Sequence, residues 1–391
     1  MKTIFRFFYF HTLAYFDKVV ATIIDMQSNK KNSKVVIIRT DAIGDYVLFR
    51  NFLKPLYEKY GKLTFVGNVA CKELVTQLDG EYIKHFIAID RKKISRNLIY
   101  RFKIIKELKK TSYEILINSI YSRDRVSEDI VRIIDAREKI ASIGDCSNLP
   151  KGIKQQYDKN YTTLLPAKQE IMFEFYRNLE FFQNLLGKDL HVDFFIDLKK
   201  IDRERDFGII PPYSVFFIGA SAQYRKWGNN HFVEVGKFLH SNFYENIVIC
   251  GGKEDFENGE YIRQKLEQNS IYCLNLCGKT SLLDLARVVY NGNHLISNET
   301  SCVHIAKAIR HDKVFVVSNG NHLHRFTPYP KELGGEYYGI FHPFIQANLD
   351  EYVFISNYSG KTSTLDINDI SSQSVIVKIK ECEYNSSNNQ H

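Results

Sequence analysis

Hydrophobic and polar positions alternate along this chain in the pattern of repeated β–α–β units. The first repeat opens on the apolar run 35–38, passes a polar turn, Arg39-Thr40-Asp41, and enters a helix near residue 45. Short apolar runs are typical of buried parallel strands, and the segments between them have helical spacing. The pattern predicts strands at 35–38, 63–67, 86–90, 113–118, 139–143, 214–221, 246–252, 294–297 and 314–318.

Helices are predicted between these strands, with recognisable start and stop signals. Pro55 should interrupt the hydrogen-bond ladder of the first helix, which Gly61 ends. Ser281 and Asp284 form a capping-box-like pair at the start of another. Segment 144–170 has no clear period and is predicted to be a long, acceptor-facing loop. The predicted helices are 45–60, 71–78, 94–110, 173–186, 230–241, 257–268, 281–290, 300–310 and 367–383.

The repeats fall into two halves, which predicts two domains. A chain of 391 residues exceeds one ordinary core. We expect an α/β protein with two Rossmann-like domains whose parallel sheets face an interdomain cleft, although neither half carries a GxGxxG fingerprint. The charged segment 197–213 is predicted to link them. The predicted divisions are an N-terminal extension and linker at 1–33, an N-terminal domain at 34–200, a C-terminal domain at 201–360, and a last helix with a disordered tail (385–391) at 361–391.

Composition narrows the class of partner. The formal net charge is +8, from 53 basic and 45 acidic residues. This mild excess suits anionic membrane surfaces or phosphorylated substrates, and no basic helix with base-reading residues indicates nucleic acid. Seven scattered cysteines argue against a disulfide framework and for a reducing, cytoplasmic compartment. Cys273 and Cys277 lack a second pair, so no metal site is expected.

The N-terminus, residues 1–26, is rich in aromatic residues but interrupted by charges such as Arg6, Asp17 and Lys18. Its uninterrupted apolar runs are too short for a spanning helix, and it lacks the small-residue cleavage site of a signal peptide. Two interpretations stay open: an amphipathic helix packed on the protein's own first domain, or one that lies on a membrane surface. Residues 27–34 are expected to be a linker.

Two carboxylates, Asp41 and Asp45, lie where the first loop meets its helix. Backbone N–H groups and the helix dipole would keep a carboxylate there ionised and fixed, which suits a general base. Aspartate is also a preferred helix cap, so the sequence alone leaves a purely structural role open.

Candidate phosphate chemistry lies in the second half. Small residues after a strand, Gly219-Ala220-Ser221, let backbone N–H groups approach an anion, and two cations, Arg225 and Lys226, follow. A second strand leads into a helix that begins near Thr300 and Ser301, where unpaired N–H groups form an anion site. Asn298 or Glu299 could instead cap this helix, and a lone His304 is often structural.

These motifs, in this order, resemble glycosyltransferase family 9, the ADP-heptose–lipopolysaccharide heptosyltransferase family. The resemblance spans about residues 34–320. Three positions depart from the family pattern: Glu299 replaces the usual Asp, Ser301 the usual Gly and Ile218 the common Pro. The matching segments are Arg39 with Ile43-Gly44-Asp45, Gly219-Ala220-Ser221 with Lys226-Trp227, Gly251-Gly252 with Glu254, 276–286, and 297–308.

The resemblance implies a GT-B fold with the donor held mainly by the C-terminal domain. It implies an inverting, metal-independent transfer from a nucleotide-diphosphate sugar, with ADP-heptose as the candidate donor and no cofactor. The acceptor would be a lipopolysaccharide, capsule or other cell-surface glycan, reached by peripheral contact with the inner face of the cytoplasmic membrane. The donor-side residues are Ser221, Arg225, Lys226, Glu254, Glu299, Thr300, Ser301 and His304, and the acceptor-side loop holds Thr40, Asp41 and Gly44.

The residue roles follow the same resemblance. Asp45 would take the proton of the acceptor hydroxyl, with Asp41 as the second candidate base. Lys226, together with Ser221, Thr300, Arg225 and the N–H groups near Ser301, would stabilise the departing diphosphate in place of a metal. Glu299 would hold hydroxyls of the donor sugar and Glu254 the ribose, while His304 would contact the phosphates or brace its helix.

Two other functions remain open at this point. A nucleotide-sugar epimerase on the same fold would release an altered sugar without an acceptor. A non-catalytic scaffold would keep a degenerate donor site, which the changes at Glu299 and Ser301 permit. A dinucleotide oxidoreductase is disfavoured because the glycine fingerprint is missing.

Overall fold

The structure is a computed structural model, and it describes residues 2–27, 30–201, 205–351, 355 and 363–388. The described residues form two compact units. The first lies within Met1–Glu170 and Phe175–Val192, and the second within Ile171–Glu174 and Asp193–His391. Each contains one six-stranded sheet in which all strands pair in parallel.

The first sheet has the order β3-β2-β1-β4-β5-β6. Its strands are β1 (Lys31–Arg39), β2 (Leu63–Asn68), β3 (Ile83–Ile89), β4 (Thr111–Asn118), β5 (Asp135–Ser142) and β6 (Thr163–Leu165). The helices are α1 (Lys2–Gln27), α2 (Ile43–Phe49), α3 (Leu53–Tyr60), α4 (Lys72–Leu78), α5 (Arg91–Arg96), α6 (Leu98–Leu108), α7 (Arg125–Ile133), α8 (Lys151–Asp158) and α9 (Glu174–Leu186), with 3₁₀ turns at Arg50–Phe52 and Val69–Cys71.

The second sheet has the order β12-β11-β10-β7-β8-β9. Its strands are β7 (Tyr213–Phe217), β8 (Asn246–Cys250), β9 (Cys273–Asn275), β10 (Leu295–Asn298), β11 (Val314–Ser318) and β12 (Tyr337–Phe341). The helices are α10 (Asn229–Phe243), α11 (Phe256–Glu267), α12 (Leu282–Asn291), α13 (Ser301–Ala308), α14 (Pro343–Gln346) and α15 (Ser372–Asn388), with 3₁₀ turns at Leu198–Lys200, Gln223–Arg225, Lys253–Asp255 and Ile367–Asp369.

The central strands are apolar and buried where they cross the middle of the sheet, as in residues 35–38 of β1. Val36 of β1 lies opposite Thr64 of β2 on one side and Leu116 of β4 on the other. Val36 and Leu116 are fully buried. This arrangement explains why the strands appear in the sequence as continuous apolar runs rather than as alternating ones.

The first predicted helix, 45–60, is confirmed but interrupted. It consists of α2, a 3₁₀ turn and α3, and Pro55 lies in the first turn of α3. Proline is tolerated there because the first N–H groups of a helix have no intrahelical partner. Gly61 ends α3 with φ of 78°. The capping box of Ser281 and Asp284 at α12 is also confirmed.

Four local predictions were wrong. The single helix 94–110 is two helices, because Asn97 breaks it and caps α6 by accepting the N–H of Tyr100 at 2.9 Å. Segment 144–170 is not a plain loop, since it contains α8 and β6. The linker 27–34 ends earlier, because β1 already begins at Lys31. Helix α15 continues to Asn388, so the tail is not disordered from 385; residues 389–391 lie outside the described part.

Helix α1 packs on the first unit, as one of the two interpretations of the N-terminus predicted. It contacts α6 and α7. Asp17 is 2% exposed and accepts hydrogen bonds from Arg101 at 2.5 and 2.6 Å and from Arg132 at 2.7 Å. Val20 enters the same apolar cluster as the strands. Within the ranges that the structure describes, no helix combines the length and apolarity needed to cross a membrane.

Candidate active site

Asp45 is held at the start of α2 by the backbone. It is the third residue of the helix, and its Oδ2 accepts the N–H of Ala42, the residue before the helix, at 3.2 Å. This is one half of a capping box. Its side chain remains partly exposed. Asp45 therefore has both the fixed position expected of a base and the cap contact expected of a structural residue.

Asp41 has a different environment. Its Oδ2 lies 3.1 Å from Nε of Arg39, whose side chain is fully buried. The Arg39 guanidinium also donates to the backbone oxygen of Ser119 at 3.0 Å and to Asn178 at 2.9 Å. The carboxylate of Asp41 is thus engaged by a cation that is itself anchored to two other elements. Asp41 is therefore paired with a buried cation, whereas Asp45 accepts a hydrogen bond from the backbone.

The loop that holds both carboxylates lies beside the end of β2, since Nδ2 of Asn68 donates to the backbone oxygen of Asp41 at 2.7 Å. Burial raises the pKa of the Cys71 thiol, and the charges of Asp41 and Asp45 raise it further. Thr40 is fully buried, and its hydroxyl has no hydrogen-bond partner in the described residues. Gly44 is buried in the first turn of α2. The predicted acceptor-side loop therefore lies at the carboxyl ends of β1 and β2.

In the second unit, Arg225 contacts two of the other predicted residues, Ser221 and Glu299. Its Nη1 donates to Oγ of Ser221 at 3.0 Å. Its Nη2 donates to the backbone oxygen of Glu299 at 2.6 Å and to Oε1 of Glu299 at 3.1 Å. The other carboxylate oxygen of Glu299 accepts from Ser318 at 3.0 Å. Burial raises the pKa of Glu299, and Arg225 opposes that shift.

Lys226 pairs with a carboxylate that the sequence did not single out, that of Asp255. Asp255 is 2% exposed, and its Oδ2 accepts the N–H of Gly252 at 2.8 Å. A Cβ at Gly219 would lie 2.6 Å from that same oxygen. Because Gly219 has no side chain, the buried carboxylate of Asp255 has room to pair with Lys226. The neighbouring Glu254, predicted for the ribose, is exposed.

Thr300 and Ser301 begin α13 at the carboxyl end of β10. Thr300 is the residue before the helix, and its side chain makes no capping hydrogen bond. His304 is 7% exposed, and its Nδ1 is bonded to the hydroxyl of Tyr329. Burial and the charge of Arg225 lower the pKa of His304 to about 3, so the ring is neutral. A neutral, buried imidazole fits the bracing role better than that of a phosphate-binding cation.

Asn298 fixes the geometry of these strand ends. Its Nδ2 donates to the backbone oxygen of Ile218 at 2.8 Å, and its Oδ1 accepts the N–H of Trp227 at 3.0 Å. Trp227 is 2% exposed and donates Nε1–H to the oxygen of Ile370 at 2.7 Å. The carboxyl ends of β7, β8 and β10 therefore carry the predicted cations on a rigid framework, at the edge where open α/β sheets bind ligands.

Comparison with known proteins decides the family. The model of glycosyltransferase family 9 (heptosyltransferase) matches residues 101–332, more than half of the chain. The chain belongs to glycosyltransferase family 9. The resemblance drawn from the sequence motifs is thereby confirmed.

Relatives of family 9 agree with this assignment. Lipooligosaccharide heptosyltransferase 2 of Haemophilus influenzae is 28% identical over 105 residues, which are 27% of this chain and 30% of that protein. Among solved structures, E. coli heptosyltransferase WaaC with ADP has a TM-score of 0.64 at 16% identity, covering 89% of this chain and 99% of that one. E. coli ADP-heptose lps heptosyltransferase II has a TM-score of 0.62 at 16% identity, covering 90% and 99%.

The likeness to these structures confirms the predicted GT-B fold. The curated relative is matched over less than a third of its own length, so it establishes kinship rather than substrate. Within the part of the chain that the structure describes, no three His, Cys, Asp or Glu side chains group closely enough to hold a metal ion. Asp255 and Ser318 were not singled out from the sequence, and Asn298 was considered only as a helix cap, whereas the residue before α13 is Thr300.

Proposed function

We propose that this family 9 chain transfers a sugar from a nucleotide-diphosphate sugar to a glycan acceptor, with inversion and without a metal. The observation that carries the proposal is the pair of adjacent cations, Arg225 and Lys226, each set against a buried carboxylate at the carboxyl edge of the second sheet. The family description names heptosyltransferases, and a structural neighbour was solved with ADP. ADP-heptose is therefore the candidate donor.

The second unit holds the diphosphate in this proposal. Lys226 and Arg225 supply positive charge, while Ser221 and Thr300 supply hydroxyl donors. Such preorganised donors stabilise the negative charge that develops on a leaving group. Glu299 holds hydroxyls of the sugar, and the exposed Glu254 reaches the ribose from the rim of the site.

The first unit supplies the base. An acceptor hydroxyl attacks the anomeric carbon from the face opposite the diphosphate, and Asp45 accepts the hydroxyl proton as the new C–O bond forms. The bond between the anomeric carbon and the diphosphate oxygen breaks, and its electron pair leaves with the nucleoside diphosphate. Because this is a single displacement, the anomeric configuration inverts.

The acceptor in this proposal is a growing lipopolysaccharide, lipooligosaccharide or capsule glycan. The name of the Haemophilus relative and the lps heptosyltransferase title support a lipid-linked glycan. Such an acceptor is anchored at the cytoplasmic face of the membrane, so the enzyme would work in the cytoplasm in peripheral contact with that face.

The test is a transfer assay with ADP-heptose and a heptose-deficient lipopolysaccharide, in which mass spectrometry counts the added sugars and NMR gives the anomeric configuration of the product. Wild-type protein should add one sugar of inverted configuration, with EDTA present. Asp45→Asn should fold and bind ADP normally but lose turnover by about 100-fold or more. Near-normal turnover in that variant would remove Asp45 from the reaction. An altered nucleotide sugar formed without any acceptor would instead identify an epimerase.

A further inference from the structure

Positive charge is concentrated in the two short helices that follow β3. Residues 91–110 contain nine Lys or Arg and one Glu, a net charge of +8 that equals the formal net charge of all 391 residues. The rest of the chain is therefore neutral by this count. A local excess of this size marks α5 and α6 as the electropositive part of the first unit.

Some of these cations form buried ion pairs within the first unit, and others are exposed and form none among the described residues. Arg101, for example, is 3% exposed and paired with Asp17 and Asp129. Lys109 is likewise buried against Asp25 and Asp135. Four others are exposed, and their side chains have no ion-pair partner within the described ranges. These four are Lys92, Arg96, Lys103 and Lys106.

Large apolar side chains lie among the unpaired cations. Ile99 is 71% exposed and Phe102 is 42% exposed. With Lys103 and Lys106 they follow the i, i+3, i+4, i+7 spacing of one helix face. The opposite face of α6 is buried and includes Ile104, Ile105 and Leu108. Helix α6 therefore has a second amphipathic face, turned toward solvent, that the core does not use.

Helix α1 presents a similar outward stripe. Tyr15, Val19, Ile23 and Met26 are 72%, 40%, 49% and 81% exposed and recur at helical spacing. The inner face of α1 places Val20 in the apolar cluster that also holds Ile104 and Ile105 of α6. Because α1 packs against α6 and both helices contribute to one cluster, their exposed side chains belong to the same region of the surface of the first unit.

We infer that the outer faces of α1 and α6, hereafter the α1–α6 face, dock the protein on an anionic lipid bilayer. Apolar side chains on such a face enter the boundary between headgroups and acyl chains, and lysines around them meet anionic headgroups. Charge decides against a second copy of the chain as the occupant, because self-association would place unpaired cations against each other. The biological purpose of the docking rests on the proposed lipid-linked acceptor, but the binding does not.

The experiment is co-sedimentation of the full-length protein with phosphatidylcholine vesicles that contain or lack phosphatidylglycerol. The wild-type protein should bind the anionic vesicles, bind the neutral vesicles much more weakly, and dissociate as salt is raised. Lys103→Glu with Lys106→Glu should weaken binding to anionic vesicles by about tenfold or more. Ile99→Ser with Phe102→Ser, and Ile23→Ser with Met26→Ser, should weaken binding without removing the salt dependence.

Matched controls keep the test specific to this face. Lys54→Glu with Lys62→Glu makes the same charge change at exposed lysines of the first unit outside α1 and α6. Tyr290→Ser with Val377→Ser removes two exposed apolar side chains from helices of the second unit. Both controls should bind anionic vesicles more tightly than the Lys103 and Lys106 variant does.

Three results would overturn the inference: no binding of wild-type protein to anionic vesicles, equal loss in the controls, or a wild-type dimer that Ile99→Ser with Phe102→Ser dissociates. The last result would identify the face as a self-association surface. Vesicle binding needs no sugar substrate, so its failure leaves ADP binding and transfer to a soluble acceptor as separate tests of the proposed function.

Discussion

Arg225, in the turn that follows β7, donates two hydrogen bonds to Glu299, which follows β10. One goes to the backbone oxygen of Glu299 at 2.6 Å and the other to its carboxylate at 3.1 Å. The side chains of Arg225 and Glu299 are 14% and 9% exposed. The carboxylate of Glu299 reaches both Arg225, at 3.1 Å, and Ser318, at 3.0 Å. The pair therefore links β7 and β10 at the edge where we propose that the donor binds.

Removing one partner of this pair should cost more than removing both charges. Arg225→Ala leaves a buried carboxylate without its cation and should lower the free energy of unfolding by about 3 kcal/mol. Arg225→Ala combined with Glu299→Gln should recover part of that loss. Urea unfolding of the two single variants and the double variant gives the coupling energy. Additive effects of the two substitutions would show that the pair contributes no coupling.

Lys226 should control donor affinity. We expect Lys226→Ala to weaken binding of the nucleoside diphosphate by about 100-fold, because it removes one of the two cations that we propose to neutralise the diphosphate. Isothermal titration calorimetry measures the affinity. Lys253→Ala is the matched control, since Lys253 is an exposed lysine in the turn beside Asp255. An equal effect of the two substitutions would count against a specific role for Lys226.

Gly219 should be intolerant of a side chain although its backbone is unstrained. In Gly219→Ala the new Cβ would lie 2.6 Å from Oδ2 of Asp255, an oxygen already held by the N–H of Gly252. Asp255 must shift, which disturbs its pair with Lys226. We predict weaker nucleotide binding with a small loss of stability. Gly152→Ala is the control, because a Cβ at that position would have no neighbouring atom within 4 Å.

A buried histidine joins the last helix to the second sheet and should make stability depend on pH. His294 Nδ1 is 3.0 Å from Glu245, and its Nε2 is 2.9 Å from Glu383 of α15. Burial alone would lower the pKa of His294, but the hydrogen bonds with the two carboxylates raise it above its ordinary value. The hydrogen bond with His294 and the nearby Lys313 lower the pKa of Glu383 to about 2.

The sign of the effect follows from these directions. Because the folded-state pKa of His294 is raised, its stabilisation is complete below the unfolded value of about 6.5 and is lost as pH rises through the folded value. The contribution of Glu383 is lost only in strong acid. Urea unfolding between pH 6 and 9 should therefore show a falling free energy of unfolding. His294→Gln should flatten that fall, and an unchanged slope would contradict this interpretation.

The fold could be predicted from the sequence where burial alone shapes a segment. Residues 35–38 around Val36 are apolar and fully buried, and this run was recognised as a strand. Helix α7 was not predicted, although it buries Ile130, Val131 and Ile133, because polar residues are buried beside them. Glu128 is fully buried, with Oε1 accepting from Arg123 and Tyr161 at 3.0 Å. Polar residues at buried positions weaken the apolar period by which a helix is recognised in a sequence.

Only part of the candidate site could be predicted from the sequence, because the sequence does not show where a side chain points in a tight turn. The order of the motifs identified Lys226 and Glu299. It could not distinguish Glu254 from Asp255, because the two acidic residues are consecutive in the sequence. Only the turn after β8 decides that Asp255 points inward and Glu254 lies in solvent. Likewise, the single predicted helix at 94–110 concealed the break at Asn97 that sets α6 apart. The direction of a side chain in a tight turn depends on tertiary contacts, which cannot be predicted from the spacing of residues along the sequence.

The most direct test of the central claim is a thermal-shift measurement with a panel of nucleoside diphosphates and nucleotide sugars, with EDTA present throughout. A ligand that binds only the folded state raises the melting temperature by mass action. The proposed function predicts that one nucleoside diphosphate, with ADP as the candidate, and its sugar conjugates raise the melting temperature selectively, and that Lys226→Ala abolishes the rise. Folded protein that responds to no member of the panel would contradict it.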